Sequence, residues 1–266
     1  GRKLIGWDEI LEGGLAPEAT VMSWRGESGG IKSARMGHDV VMTPGNYMYF
    51  DFYQADPKTQ PYAIGGYTPI KKVYSYNPIP VDSLTAEESK HIMGVQANTW
   101  TEYIPNEQHL EYMMFPRALA LAEIAWSPQE KREWNDFKPR MNAHISKLQQ
   151  MGINTFTLSD ELEVTMKVDT VSKQIEVYLD AEKYPAEIRY TTDGTVPTAS
   201  STVYDGMIQV KDSAYIKAAI FSNGQLQGTP TEKKVDYHRA INKPIHYNSK
   251  LYPGYMAGGM NALLDG

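Results

Sequence analysis

Trp100 and Glu102 close the stretch Gly94-Val-Gln-Ala-Asn-Thr-Trp-Thr-Glu102, where a short apolar run gives way to a polar, aromatic tip. Two residues apart on an extended chain, the two side chains face the same way. An aromatic wall beside a carboxylate suits a sugar, which has an apolar C–H face and a rim of hydroxyls. Taken alone, the pair reads equally as a core tryptophan and an acidic helix start. Tyr49 and Asp51 repeat the spacing, with Phe50 between them pointing away into packing. Trp7 and Trp24 each end a short apolar run. Asp8-Glu9 invites an acid/base reading, but strand neighbours point to opposite faces and cannot both address one atom without a bend.

These tips need elements to carry them. Lys3–Trp7, Ala19–Trp24, Asp39–Thr43 and Ile92–Ala97 read as short apolar strands, the third of buried, parallel type. Ser28 to Gly37 reads as a short helix with a glycine stop. Asn106 caps a helix to about Met114, and a second runs from Pro116 to Trp126, since an interior proline breaks a helix. Trp134–Met151 repeats apolar residues at helical spacing. Residues 52–91, rich in Pro, Tyr and Gly, form a long loop of the kind that serves function, with one capped helical patch at Ser83–Lys90. Four strand-then-helix steps, three with polar aromatic tips at the same end, make half of an eight-stranded α/β barrel, whose chemistry sits at that end.

From Ser159 the period changes to two. Leu162–Val168, Gln174–Leu179, Glu187–Thr191 and Tyr215–Phe221 alternate, and Asp193-Gly194, Asp205-Gly206 and Asn223-Gly224 mark turns, as in a small antiparallel sandwich. The resulting division is a partial barrel over residues 1–158, a β-sandwich over 159–240 and the start of a further β unit over 241–266. His238 and His246 lie outside any ligand spacing, so no metal is expected at either.

The net charge of −6 and pI near 5.6 argue against nucleic acid, whose binders carry a basic face. Cysteine is absent, which excludes disulfides and thiolate metal sites. No apolar run approaches the roughly 20 residues of a membrane span. The chain opens on Gly inside a strand pattern and stops without a terminating pattern, as an excised piece would.

Several separated motifs, in order, resemble the second half of the catalytic barrel of the family 20 glycoside hydrolases, the β-N-acetylhexosaminidases. They are Gly6-Trp7-Asp8-Glu9, Val21-Met22-Ser23-Trp24-Arg25-Gly26, Tyr49-Phe50-Asp51, and Gly94-Val95-Gln96-Ala97 through Trp100-Thr101-Glu102. Met113-Met-Phe-Pro-Arg-Ala-Leu-Ala-Leu-Ala-Glu-Ile-Ala-Trp126 looks like that family's last barrel helix. Tyr190-Thr-Thr-Asp-Gly-Thr-Val-Pro197 resembles the Fn3-like module that follows such barrels, and Tyr252–Gly266 the opening of a discoidin-like sandwich.

The resemblance implies strands five to eight of the barrel and substrate-assisted retention, in which the 2-acetamido oxygen attacks the anomeric carbon. It implies an aromatic box of Trp7, Trp24 and Trp100 around the acetamido methyl and a hydrogen bond from Tyr49 to the acetamido oxygen. Asp51 and Glu102 would accept from sugar hydroxyls. The family's Asp-Glu pair sits in a His-x-Gly-Gly-Asp-Glu motif that is absent here; Asp8-Glu9 lacks the preceding glycines, so the catalytic pair is expected before Gly1. Tyr67 and Tyr74 in the long loop are candidates for the aromatic that often lines the leaving-group side in that family. The implied partners are glycans ending in N-acetylhexosamine, with no cofactor and no metal. The implied location is secreted, periplasmic or cell-surface. A half-barrel also leaves two open edges, so self-association that covers them is expected, as a dimer.

Overall fold

The chain divides into two units, Gly1–Thr157 and Leu158–Gly266, of which the computed structural model describes residues 2–169 and 171–237. His238, His246 and the β unit expected over 241–266 lie outside the described residues.

The first unit is built on four short parallel strands: β1 (Ile5–Trp7), β2 (Thr20–Ser23), β3 (Val40–Met42) and β4 (Ile92–Val95). Their order in the sheet is their order in the chain. Register runs Trp7 to Met22, Ser23 to Met42, and Met42 to Val95, so the strands end at one level. The one slip lies between Val40 and Val41, which pair with Ile92 and Gly94. Met93 is thus the extra residue of a bulge, and it stands 66% exposed.

Helices follow the strands with one exception. After β1 comes only a 3₁₀ turn, Asp8–Leu11. Between β2 and β3 runs α1 (Ser28–Arg35), which closes at Gly37 in the left-handed region that a glycine tolerates. Gly30 of α1 lies against the sheet: a Cβ there would stand 2.6 Å from Met42 Sδ and 3.1 Å from Ser23 Cβ and Val40 Cγ1.

The long connection to β4 is less irregular than its composition suggests. It carries α2 (Gly45–Met48), a 3₁₀ turn at Pro57–Thr59, α3 (Ile70–Ser75) and α4 (Ala86–Ser89). α4 has the expected cap, with Thr85 and Glu88 bonded reciprocally. α3 departs from the expected loop, because Ile70, Val73 and Tyr74 on one face are buried. Beyond β4 run α5 (Glu107–Met114), capped by Asn106, α6 (Arg117–Trp126) and α7 (Trp134–Gln150).

The second unit pairs two antiparallel sheets. Its strands are β5 (Leu162–Asp169), β6 (Gln174–Ala181), β7 (Glu187–Thr191), β8 (Thr202–Val203), β9 (Ile208–Val210), β10 (Ser213–Ser222) and β11 (Gln225–Asp236). One sheet has the order β11-β10-β7-β8 and the other β5-β6-β9. Ile175, Val177, Ile216 and Val235 meet in a core from which water is excluded. Asn223 and Gly224 both take positive φ, which turns β10 into β11.

Gly30→Val should overpack the α1–sheet contact and lower the stability of the first unit by about 1–3 kcal/mol in urea unfolding. An unchanged midpoint would show that Met42 yields freely.

Candidate functional site at the strand ends

The pairing of β3 with β4 continues past both strands and sets the tip. Tyr49 and Asn98 form an isolated parallel bridge, with Phe50 N donating to Asn98 O at 2.7 Å and Asn98 N to Met48 O at 2.8 Å. Below the bridge, Asn98 Nδ2 donates to Thr43 Oγ1 at 2.7 Å and Gln96 Nε2 to Asn98 Oδ1 at 2.8 Å. This buried amide–hydroxyl chain ties the two loops that carry the site.

Four aromatic rings gather above it. Trp7 and Trp100 lie 5.9 Å apart between ring centres, tilted by 44°. Trp24 and Tyr49 stack at 6.3 Å with 19° between planes. The Trp100 side chain lies close enough to the Tyr49 phenol to counter part of the effect of burial on it, so the two pairs form one cluster. Burial pushes the Tyr49 phenol above its usual range, so it is a protonated donor at neutral pH. Trp100 remains 43% exposed.

Asp51 sits beside this cluster, 6% exposed. Nearby backbone N–H groups of Asp51 and Trp100 favour the charged carboxylate, while Oδ1 is buried without a hydrogen-bond partner among the described residues. Burial raises its pKa; Glu102 nearby raises it further, and the Arg117 guanidinium opposes both. Glu102 starts a turn and is exposed, so it reaches the cleft from a bend and not from the extended chain assumed in the sequence. Asp51, Trp100 and Glu102 line one cleft.

Asp8 and Glu9 also differ from the strand expectation. They open the 3₁₀ turn and diverge to different tasks. Glu9 accepts the Trp24 indole N–H with both oxygens, at 2.9 and 3.0 Å, and so orients that ring. Asp8, 2% exposed, takes Arg25 Nε at 2.6 Å and Arg25 N at 3.2 Å.

Tyr74 is not at the cleft. It is buried, stacked on Phe137 at 4.6 Å and edge-on to Trp134. Tyr67 is 55% exposed but does not line the cleft either. Besides Trp100, the aromatics that do are Tyr62 and Tyr103, T-shaped at 5.0 Å, with Ile64 and His109 beside them. Sequence spacing gave no sign of this pair, because loop geometry alone joins residues 62 and 103.

Parallel strands in chain order, with an aromatic and acidic cluster beyond their carboxyl ends, define part of an α/β barrel with its site on the usual face. Residues 1–129 match the glycosyl hydrolase family 20 catalytic domain, and residues 166–232 the chitobiase/beta-hexosaminidase C-terminal domain. The chain is 42% identical over 226 residues to a beta-hexosaminidase of Porphyromonas gingivalis, covering 84% of this chain and 29% of that protein. Its identity to a beta-N-acetylhexosaminidase of Cellulomonas fimi is 30% over 147 residues, 54% of this chain and 29% of that protein.

Among solved structures, the GH20 exo beta-N-acetylglucosaminidase of Vibrio harveyi, in complex with N-acetylglucosamine, superposes with a TM-score of 0.54 at 31% identity. That match covers 59% of this chain and 25% of that one. A Streptomyces plicatus N-acetyl-beta-hexosaminidase gives 0.53 at 25% identity, over 59% and 32% of the two chains. The chain therefore belongs to the family 20 glycoside hydrolases, as the C-terminal half of the barrel followed by a small β-sandwich. It spans under a third of the length of these curated relatives.

Because Asp51 carries a pKa raised by folding, its charge costs stability above the carboxylate pKa of the unfolded chain, near 3.9, and costs nothing well below it. Asp51→Asn should raise the melting temperature at pH 7, with the gain shrinking toward pH 4. A loss of stability at pH 7 would contradict this.

Proposed function

We propose that the polypeptide carrying this chain is a retaining exo-β-N-acetylhexosaminidase that removes terminal N-acetylglucosamine or N-acetylgalactosamine from glycans. The observation that carries this reading is the joined cluster of Trp7, Trp24, Trp100 and Tyr49 beside the unpartnered carboxylate oxygen of Asp51. The indole faces of Trp7, Trp24 and Trp100 enclose the acetamido methyl and hold the acetamide near the anomeric carbon, an entropic contribution to the rate. Tyr49 donates its phenolic proton to the acetamido oxygen and stabilises the charge that develops as that oxygen attacks. Asp51 and Glu102 accept from ring hydroxyls, so an epimer that misplaces a hydroxyl leaves a buried charge unmatched. Tyr62 and Tyr103 form the apolar rim on which the next residue of the glycan rests.

No group within these 266 residues is assigned as the proton donor. The acid that protonates the leaving oxygen belongs to an Asp-Glu pair outside this sequence. The relatives' names and the site's chemistry support an enzyme; a sugar-binding protein without hydrolysis is the alternative, and the residues at that pair separate the two. By family resemblance the protein works in a secreted, periplasmic or cell-surface setting. Among the described residues no further strand pairs with β1 or β4, and these edges, with Leu4, Ile5 and Met93 exposed, support self-association of the chain when it stands alone.

The intact polypeptide should hydrolyse an aryl N-acetyl-β-glucosaminide, and the 266-residue chain alone should not. Turnover by the chain alone would overturn the placement of the acid. In the intact protein, Trp24→Ala and Trp100→Ala should each weaken binding of an oxazoline-like inhibitor by about 10–100-fold, as the loss of a buried aromatic wall requires. Unchanged affinity would make those rings core packing alone.

A further inference from the structure

Arg117 is the largest fully buried side chain of the described residues. Burial brings its pKa down to about 9, so it still carries its charge at neutral pH. All five of its N–H donors are used, and all on backbone carbonyls. Nε and one Nη2 proton meet Met113 O one turn earlier in the chain. Nη1 donates to Phe52 O at 2.9 Å and Thr68 O at 3.1 Å, and Nη2 also donates to Phe50 O. The guanidinium lies 4.8 Å from the centre of the Phe50 ring. Phe50 and Phe52 are the two neighbours of Asp51. A helix anchor would need only the Met113 contact; the other three carbonyls belong to the segment that presents Tyr49 and Asp51.

We propose that Arg117 is a positioning residue for sugar recognition: by holding the carbonyls on both sides of Asp51 it fixes the direction of that carboxylate, and its charge keeps the carboxylate an acceptor. The inference rests on the reading of Asp51 as a hydroxyl acceptor. The groups facing Asp51 are Arg117 of α6, Glu102 beyond β4 and the Tyr49 phenol, with His109 of α5 in the same cleft. Arg117 is the cation whose attraction offsets burial and the charge on Glu102 there. Lysine cannot replace it, because an ammonium has three donors for four carbonyls and no planar fork.

The test is a double-mutant cycle in the intact polypeptide, with Arg117→Lys, Asp51→Asn and the double variant assayed on an aryl N-acetyl-β-glucosaminide after their folding is checked by thermal melting. Arg117→Lys should lower kcat/KM by about tenfold or more, chiefly through KM, and the double variant should be no worse than Asp51→Asn within about twofold. Losses that multiply would show a merely structural arginine and overturn the proposal.

Should Arg117→Lys fail to fold, the carboxyl carbon shift of Asp51 in wild-type protein labelled with carbon-13 aspartate decides. A carboxylate at pH 7 supports the proposal, and a protonated acid overturns it. Wild-type protein that neither binds nor turns over N-acetyl sugars removes the functional reading and this inference with it. Active wild-type protein with multiplying losses removes this inference alone.

Discussion

Parallel, in-register pairing of four strands is the constraint on which the site depends. A parallel strand cannot be followed by a hairpin, so every strand must end at the same edge and hand its chain to a crossing segment. That edge therefore collects Trp7, Trp24, Tyr49 and Asn98 without any contact between them in sequence. The Tyr49–Asn98 bridge extends the pairing one step past β3 and β4, and it brings Asp51 and Trp100 to the same cleft. Met93 bulges out of β4 at no cost to this alignment, because register is regained before Val95.

The tip stores unfavourable terms that packing elsewhere must offset. A buried carboxylate with a free oxygen, a fully buried guanidinium and a desolvated phenol each oppose folding in their own right. Arg117 persists because four carbonyls take all its donors, while nearby backbone N–H groups ease the charge on Asp51 and the Trp100 side chain offsets part of the burial of Tyr49. Such a concentration of costly polar groups beside exposed aromatic surface is what a site built to match a polar ligand requires. The clamp on Arg117 also explains why the loop after Asp51 can be long yet ordered near the site, since Phe52 and Thr68 are held by one side chain.

Much of this was legible in the residues. Apolar runs marked the four strands, Asn106 and the Thr85–Glu88 box marked helix starts, and alternation marked the sandwich strands β5, β6, β7 and β10. What escaped the sequence has physical causes. α3 hides in a Pro-, Tyr- and Gly-rich segment because six residues give too few turns for a periodic signal. β11 is masked by Gly228 and Pro230, which break the alternation where the β10 register shifts. Asp8 and Glu9 were read as strand neighbours, whereas a 3₁₀ turn sends one to Arg25 and the other to Trp24. Tyr62 and Tyr103 meet only through loop geometry, and Arg117 looks in sequence like any helix arginine.

The role of the four rings depends on where an acetamide sits. A crystal structure of the intact polypeptide with N-acetylglucosamine tests this most directly. The acetamido methyl is expected against the rings of Trp7, Trp24 and Trp100, with the acetamido oxygen within about 2.5–3.0 Å of the Tyr49 hydroxyl. A sugar bound with its acetamide turned to solvent, or bound away from these four rings, would contradict it.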